Sequence, residues 1–305
     1  GDIVPSLMPI RNLYAQAFGI YACATAFEST EDPRAFRLAV NAFEHVERSA
    51  RDPEYGGYFE HWTPEGEAVK TTPEGPGGLS MVGRFGRKSM NAHIHLLEAY
   101  TALYRVVDNK TVQERLFETF RLVRDAIVAP SGALVMFADR RWRPEETHSS
   151  FGHELEIVYL LDVATELLGL EGEELTKTQS AMSRLVRHSL EWGLDDQHGG
   201  FYNEGPTATR PDNRRKVWWV QAEAWNGLLT GVRRLEELRP ACATAFLTAW
   251  HFFETSMLDD EFGGCYSEVE ESGKMIPGKT DKANAWKTAY HVTRGLAHSI
   301  DSLSE

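Results

Sequence analysis

Asp195-Asp196-Gln197-His198-Gly199-Gly200-Phe201-Tyr202 closes one helical pattern and opens a short aromatic stretch. Paired glycines in that position mark a helix stop followed by a turn. The same arrangement stands at Asp52-Pro53-Glu54-Tyr55-Gly56-Gly57-Tyr58-Phe59 and at Asp259-Asp260-Glu261-Phe262-Gly263-Gly264-Cys265-Tyr266, with a degenerate copy at Pro130-Ser131-Gly132-Ala133-Leu134. Successive copies lie roughly 70 residues apart, too long for the commonest single-hairpin solenoids and suited to two helices plus long connections.

Working outward, apolar periodicity predicts nine helices, at about 9–29, 33–50, 89–108, 111–128, 152–169, 173–192, 216–236, 240–257 and 284–302. The even ones, such as 33–50 with Phe36, Ala39, Val40, Phe43 and Glu47, carry one apolar stripe and a charged back. The odd ones carry aromatics, alanines and polar groups nearly all round, as burial on both sides requires. That alternation predicts an all-α fold of two concentric rings, inner helices covered by outer ones. The connections 60–88, 138–150, 203–215 and 267–283 then gather at one end of the inner ring. The first is a Pro- and Gly-rich loop (Pro73, Gly75, Pro76, Gly77, Gly78, Gly83, Gly86) rather than a boundary, so one domain over 1–305 is expected.

Composition narrows the partners. A net charge of −13 repels nucleic acid and anionic membrane surfaces. No apolar run is long enough to cross a bilayer, and Gly1-Asp2-Ile3-Val4 does not open a signal peptide. Cys23, Cys242 and Cys265 are odd in number and lack metal-ligand spacing, which reads as reduced thiols in a cytoplasm. No metal or cofactor is expected.

The polar residues on the inner helices carry the functional signal. In Ser150-Phe151-Gly152-His153-Glu154-Leu155-Glu156 the stripe of Ile157, Leu160, Leu161, Ala164, Leu167 and Leu168 runs back onto His153 and Glu156. A histidine and a carboxylate on a buried face cost free energy unless paired or hydrogen-bonded. In Met90-Asn91-Ala92-His93-Ile94-His95 the two imidazoles diverge on a helix and do not make a metal pair. His93 heads the packing stripe and is read as structural; His95 shares its face with Glu98 and looks toward a cavity. Trp218-Trp219-Val220-Gln221-Ala222-Glu223 sets indoles beside a carboxylate and an amide. A Trp pair is commonly core, but Trp with Glu, Gln and Asn is also how a protein holds a sugar, ring against pyranose and polar groups on hydroxyls. The last helix adds Trp286 and Tyr290 four apart, and His291 and Arg294 three apart.

These segments, with the Tyr-Gly-Gly-Tyr-Phe turn, resemble the N-acylglucosamine 2-epimerase superfamily, and within it the cellobiose 2-epimerase branch. That branch reads Met-Asn-Thr-His-Leu-His, Tyr-Gly-His-Asp-Ile-Glu, Trp-Trp-x-Gln-Ala-Glu and Trp-Lys-x-x-Tyr-His, and the matches run in order from Tyr14 to the C-terminus. The resemblance implies an (α/α)6 barrel, with the site at the mouth of the inner ring. It implies His153 and His291 as the acid/base pair, with His95 assisting ring opening. It places Tyr14, Asn91, Glu156, Trp219, Glu223 and Trp286 around a mono- or disaccharide. The sequence departs from the pattern at Ala15, where glycine is usual, at Ala92 in place of threonine, and in lacking the family's sugar-binding arginine on an early inner helix. Six hairpins need twelve helices, so about three N-terminal helices are expected to be missing: either the chain is a truncated member of the family, or the ring is open and completed by another subunit. A homodimer is the oligomer expected.

Moving the carbon-2 proton of an aldose needs a base near neutral pKa, a group to return the proton, and donors for the enediolate oxygen. Histidine, at about 6.5 unperturbed, meets the first two needs. Either two histidines act on opposite faces or one acts twice. Aldose–ketose isomerisation of the mannose/fructose type shares the enediolate, as does N-acylglucosamine epimerisation. A glycoside hydrolase needs paired flanking acids, less conspicuous here than histidines. A binding scaffold without catalysis is the non-enzymatic reading.

Overall fold

The computed structural model describes residues 10–70 and 85–304. The Pro- and Gly-rich middle of the first long connection lies outside them. Nine α-helices are described: α1 (Leu13–Thr30), α2 (Pro33–Ser49), α3 (Met90–Val106), α4 (Lys110–Leu122), α5 (Phe151–Leu168), α6 (Gly172–His188), α7 (Trp218–Arg234), α8 (Arg239–Ser256) and α9 (Tyr290–Ser304). Between them run short strands: β1 (Arg11–Asn12), β2 (His61–Trp62), β3 (Lys88–Ser89), β4 (Leu134–Ala138), β5 (Pro144–Ser150), β6 (Glu204–Gly205), β7 (Lys216–Val217) and β8 (Glu268–Val269). They pair antiparallel as β1–β2, β3–β4, β5–β6 and β7–β8. Helices α4 and α6 continue into single π-helical turns at Val123–Ile127 and Ser189–Gly193.

The chain forms two compact units. The first comprises Gly1–Ile127, Val135–Thr147 and Val163–Leu170; the second comprises Val128–Leu134, His148–Asp162 and Glu171–Glu305. In the first, α1 packs on α2 and α3, and α3 on α4; in the second, α7 packs on α8 and α9. The predicted alternation holds for the middle helices. In α2 only Ala39, Phe43, Val46 and Ser49 are buried, a single stripe. In α3 everything from Ala92 to Leu103 is buried, and in α7 everything from Val220 to Gly231. It fails at α1 and α9. Only Leu13, Ala17, Ile20 and Ala24 of α1 are buried, and Leu296, Ile300 and Leu303 of α9 are exposed.

The Gly-Gly turns are built alike. Gly199 and Gly200 take φ of +80° and +76°, a region other residues enter at a cost. The Asp195 N–H donates to Gly200 O at 3.0 Å, and its carboxylate accepts from the Gln197 and His198 N–H groups. Buried Lys216, at the start of β7, reaches back to Asp195 Oδ2 at 2.7 Å. Gln221, on the first turn of α7, accepts from the Phe201 N–H at 2.8 Å. In the first unit Asp52, Lys88 and His93 take the same parts, His93 Nε2 accepting from the Tyr58 N–H at 3.1 Å. Burial pushes His93 down to about 3, so it is a neutral anchor, the structural role its place on the stripe predicts. Each turn thus fixes the entry of the helix that follows it.

The last helix starts later than its periodicity predicts. Asn284 Oδ1 accepts from the Trp286 and Lys287 N–H groups, both at 2.8 Å, offering the backbone a turn instead of a helix. Buried Lys287 donates to Asp281 O at 2.8 Å and to Cys265 O. Helix α9 therefore begins at Tyr290.

Candidate active site

In the second unit the entries of α5, α7 and α9 bring five of the singled-out residues together. The Trp219 ring lies 4.7 Å from the His153 ring and 5.5 Å from the His291 ring, centroid to centroid, so one indole touches both imidazoles. Gly152 makes room for it: a Cβ there would come within 2.4 Å of the indole. Both histidines are half-buried, whereas Glu156 and Glu223 are fully buried.

Behind the imidazoles is a charged network. His291 Nδ1 meets Glu223 Oε1 at 2.6 Å. Glu223 Oε2 accepts from Asn226 Nδ2 at 2.9 Å and lies 2.7 Å from an Arg294 guanidinium nitrogen. The same nitrogen donates to Glu156 Oε1 at 2.5 Å, and the other terminal nitrogen donates to the Tyr290 hydroxyl. The guanidinium also faces the Tyr290 and Tyr159 rings, at 4.5 and 5.5 Å. Burial acts to raise the Glu223 carboxyl. The Arg294 charge and the His291 and Asn226 hydrogen bonds outweigh it and hold the group at about 2. Ligand atoms of Glu156, Glu223 and His291 lie within 4.8 Å of one another, a spacing a metal ion can use. Here the Arg294 cation bridges the two carboxylates, which makes the trio a charge clamp.

Arg294 is a site residue whose spacing from His291 does not by itself assign it a role; the two lie three residues apart on one face of α9. Trp286, expected on that helix, instead lies in the preceding turn and is 52% exposed.

The first unit holds the other candidates. The His95 ring packs 5.1 Å from Tyr14 and 4.9 Å from Phe18, and its Nδ1 is 3.2 Å from Glu98 Oε2. At 3% exposure, His95 is buried among aromatics. Asn91 is half-buried on the first turn of α3; among the described residues its Oδ1 is buried with no partner.

Chemically, the second unit offers two imidazoles on one aromatic face, one backed by an ionised carboxylate. That suits moving a proton on and off a carbon atom held against the indole.

Comparison with known proteins agrees. Residues 5–295 match the family model described as N-acylglucosamine 2-epimerase (GlcNAc 2-epimerase). Cellobiose 2-epimerase of Ruminococcus albus is 30% identical over 298 residues, covering 94% of this chain and 72% of its own. The structure of cellobiose 2-epimerase from Spirochaeta thermophila superposes with a TM-score of 0.82 at 30% identity, covering 98% of this chain and 72% of that one. The fold class is that of these relatives, the all-α (α/α)6 barrel. A D-mannose isomerase structure superposes at 0.79 with 18% identity, over 96% of this chain and 72% of its own, which shows a shared fold alone.

Proposed function

The chain belongs to the N-acylglucosamine 2-epimerase family and is a carbohydrate epimerase, and from that premise we propose that it interconverts glucose- and mannose-type reducing ends. Cellobiose and its glucosyl-mannose epimer are the pair its relatives' name suggests. The observation that carries the reading is the pair of imidazoles on Trp219 with Glu223 behind one of them. One histidine removes the carbon-2 proton of the open-chain aldose, giving an enediolate, and the other supplies a proton to the opposite face. The Glu223 carboxylate keeps the Nδ1 proton of His291 in place, so His291 exchanges protons at Nε2. Arg294 bridges Glu156 and Glu223, keeping Glu223 ionised and fixed. His95 assists ring opening; Tyr14, Asn91 and Glu156 contact the sugar, and exposed Trp286 carries the second residue of a disaccharide. Three unpaired cysteines favour a reducing compartment, the cytoplasm.

The test is incubation with cellobiose, mannose and N-acetylglucosamine, following the anomeric and carbon-2 protons by NMR. A mannose-type anomer growing in from cellobiose supports the proposal. Ketose signals identify an isomerase, and an unchanged spectrum for all three sugars rejects catalysis.

A further inference from the structure

Ser150 ends β5, immediately ahead of α5, and is buried. Its place is fixed from several sides. It pairs across β6 with Glu204, Ser149 Oγ donates to Pro206 O at 3.0 Å, and the Phe151 N–H donates to Asn203 O at 3.2 Å. The Phe151 ring fills the space where a Cβ on Gly193 would stand. A serine at a helix entry ordinarily caps it, as Ser89 does ahead of α3 by accepting from the Ala92 N–H at 3.2 Å. The Ser150 hydroxyl instead meets His153 Nδ1 at 2.6 Å.

We propose that Ser150 positions His153 for the carbon-2 proton transfer: its Oγ accepts from Nδ1–H, which assigns proton exchange to Nε2. This rests on the epimerase reading of the site. An imidazole that takes and returns a proton at Nε2 carries Nδ1–H in both its neutral and its charged state. A fixed hydroxyl acceptor therefore serves both halves of the reaction without rearranging. Glu223 does the same for His291 with a full negative charge, so the two histidines are oriented alike by partners of different charge.

Two measurements test it. In Ser150→Ala, kcat for carbon-2 exchange falls roughly 10- to 100-fold, the worth of one hydrogen bond to a charged group, while KM holds within about twofold. Ser150→Thr, which keeps the hydroxyl, restores most of it. A wild-type kcat in Ser150→Ala, or equal losses in both variants, overturns the proposal. Independently of turnover, 15N NMR of the wild-type protein reads the neutral tautomer of His153. Nδ1–H is expected, shifting toward Nε2–H in Ser150→Ala; Nε2–H in the wild type overturns the assignment. Absence of exchange with every sugar defeats the epimerase reading, while the tautomer still judges Ser150.

Discussion

Two histidine–carboxylate pairs of this molecule are built in different ways. His95 and Glu98 sit one turn apart on α3, 3.2 Å apart, with the His95 ring packed against Tyr14 and Phe18. His291 and Glu223 come from different helices, lie 2.6 Å apart, and the His291 side chain keeps 16% exposure. Glu223 is further held by Asn226 and Arg294 on α7 and α9, and Glu98 comes from the same helix as its histidine. A carboxylate locked from several sides gives its imidazole one orientation. A proton-transfer catalyst needs that more than it needs a nearby charge.

The largest expected effect breaks the comparison at the imidazoles. His291→Ala and His153→Ala each lower carbon-2 proton exchange by roughly 10²–10⁴-fold, measured by deuterium uptake. His95→Ala keeps measurable exchange under the same conditions; loss equal to the other two would remove the distinction.

Next comes the clamp. Arg294→Met leaves Glu156 and Glu223 buried without their cation, a loss of about 3–5 kcal/mol in urea unfolding. The pH dependence sharpens this. Glu223 in the folded protein is depressed from 4.5 to about 2, so its contribution to stability is complete above 4.5 and is lost as pH falls toward 2. In Arg294→Met the folded-state carboxyl moves back up, so this acid-dependent part of the stability shrinks. A variant with wild-type acid unfolding contradicts the clamp.

Smaller again is the effect at Gly152. In Gly152→Ala the new methyl group displaces the Trp219 indole, lowering kcat roughly tenfold, with a shift in tryptophan fluorescence. The smallest is Trp286→Ala, half-exposed in a turn. Stability stays within about 0.5 kcal/mol of wild type, and only the KM for a disaccharide rises, not that for a monosaccharide.

The repeated Gly-Gly turns made the helical order legible, because each copy holds both glycines at positive φ, a conformation other side chains enter at a cost. The one-stripe and all-round burial of α2, α3 and α7 was legible for a similar reason: periodicity records which faces avoid water. The exposed sides of α1 and α9 were not, since a helix with apolar residues spread around it looks the same whether one side or two are covered. Nor was the start of α9. Asn284 diverts two backbone donors, and that competition has no periodic signature. His153, Glu156, Trp219, Glu223 and His291 could be singled out as polar or aromatic groups on the faces of inner helices. Their convergence in one network depends on Arg294, a long cation read from the sequence only as part of a helix face.

The account stands on two separate imidazoles serving opposite faces of one carbon atom. Run in D2O to low conversion, the reaction reads this from the isotope at carbon 2 of both epimers. Two bases predict deuterium in the newly formed epimer and none in the recovered substrate. Protium returned to carbon 2 of the product means that a single group carried the proton across, and it would contradict the paired roles of His153 and His291.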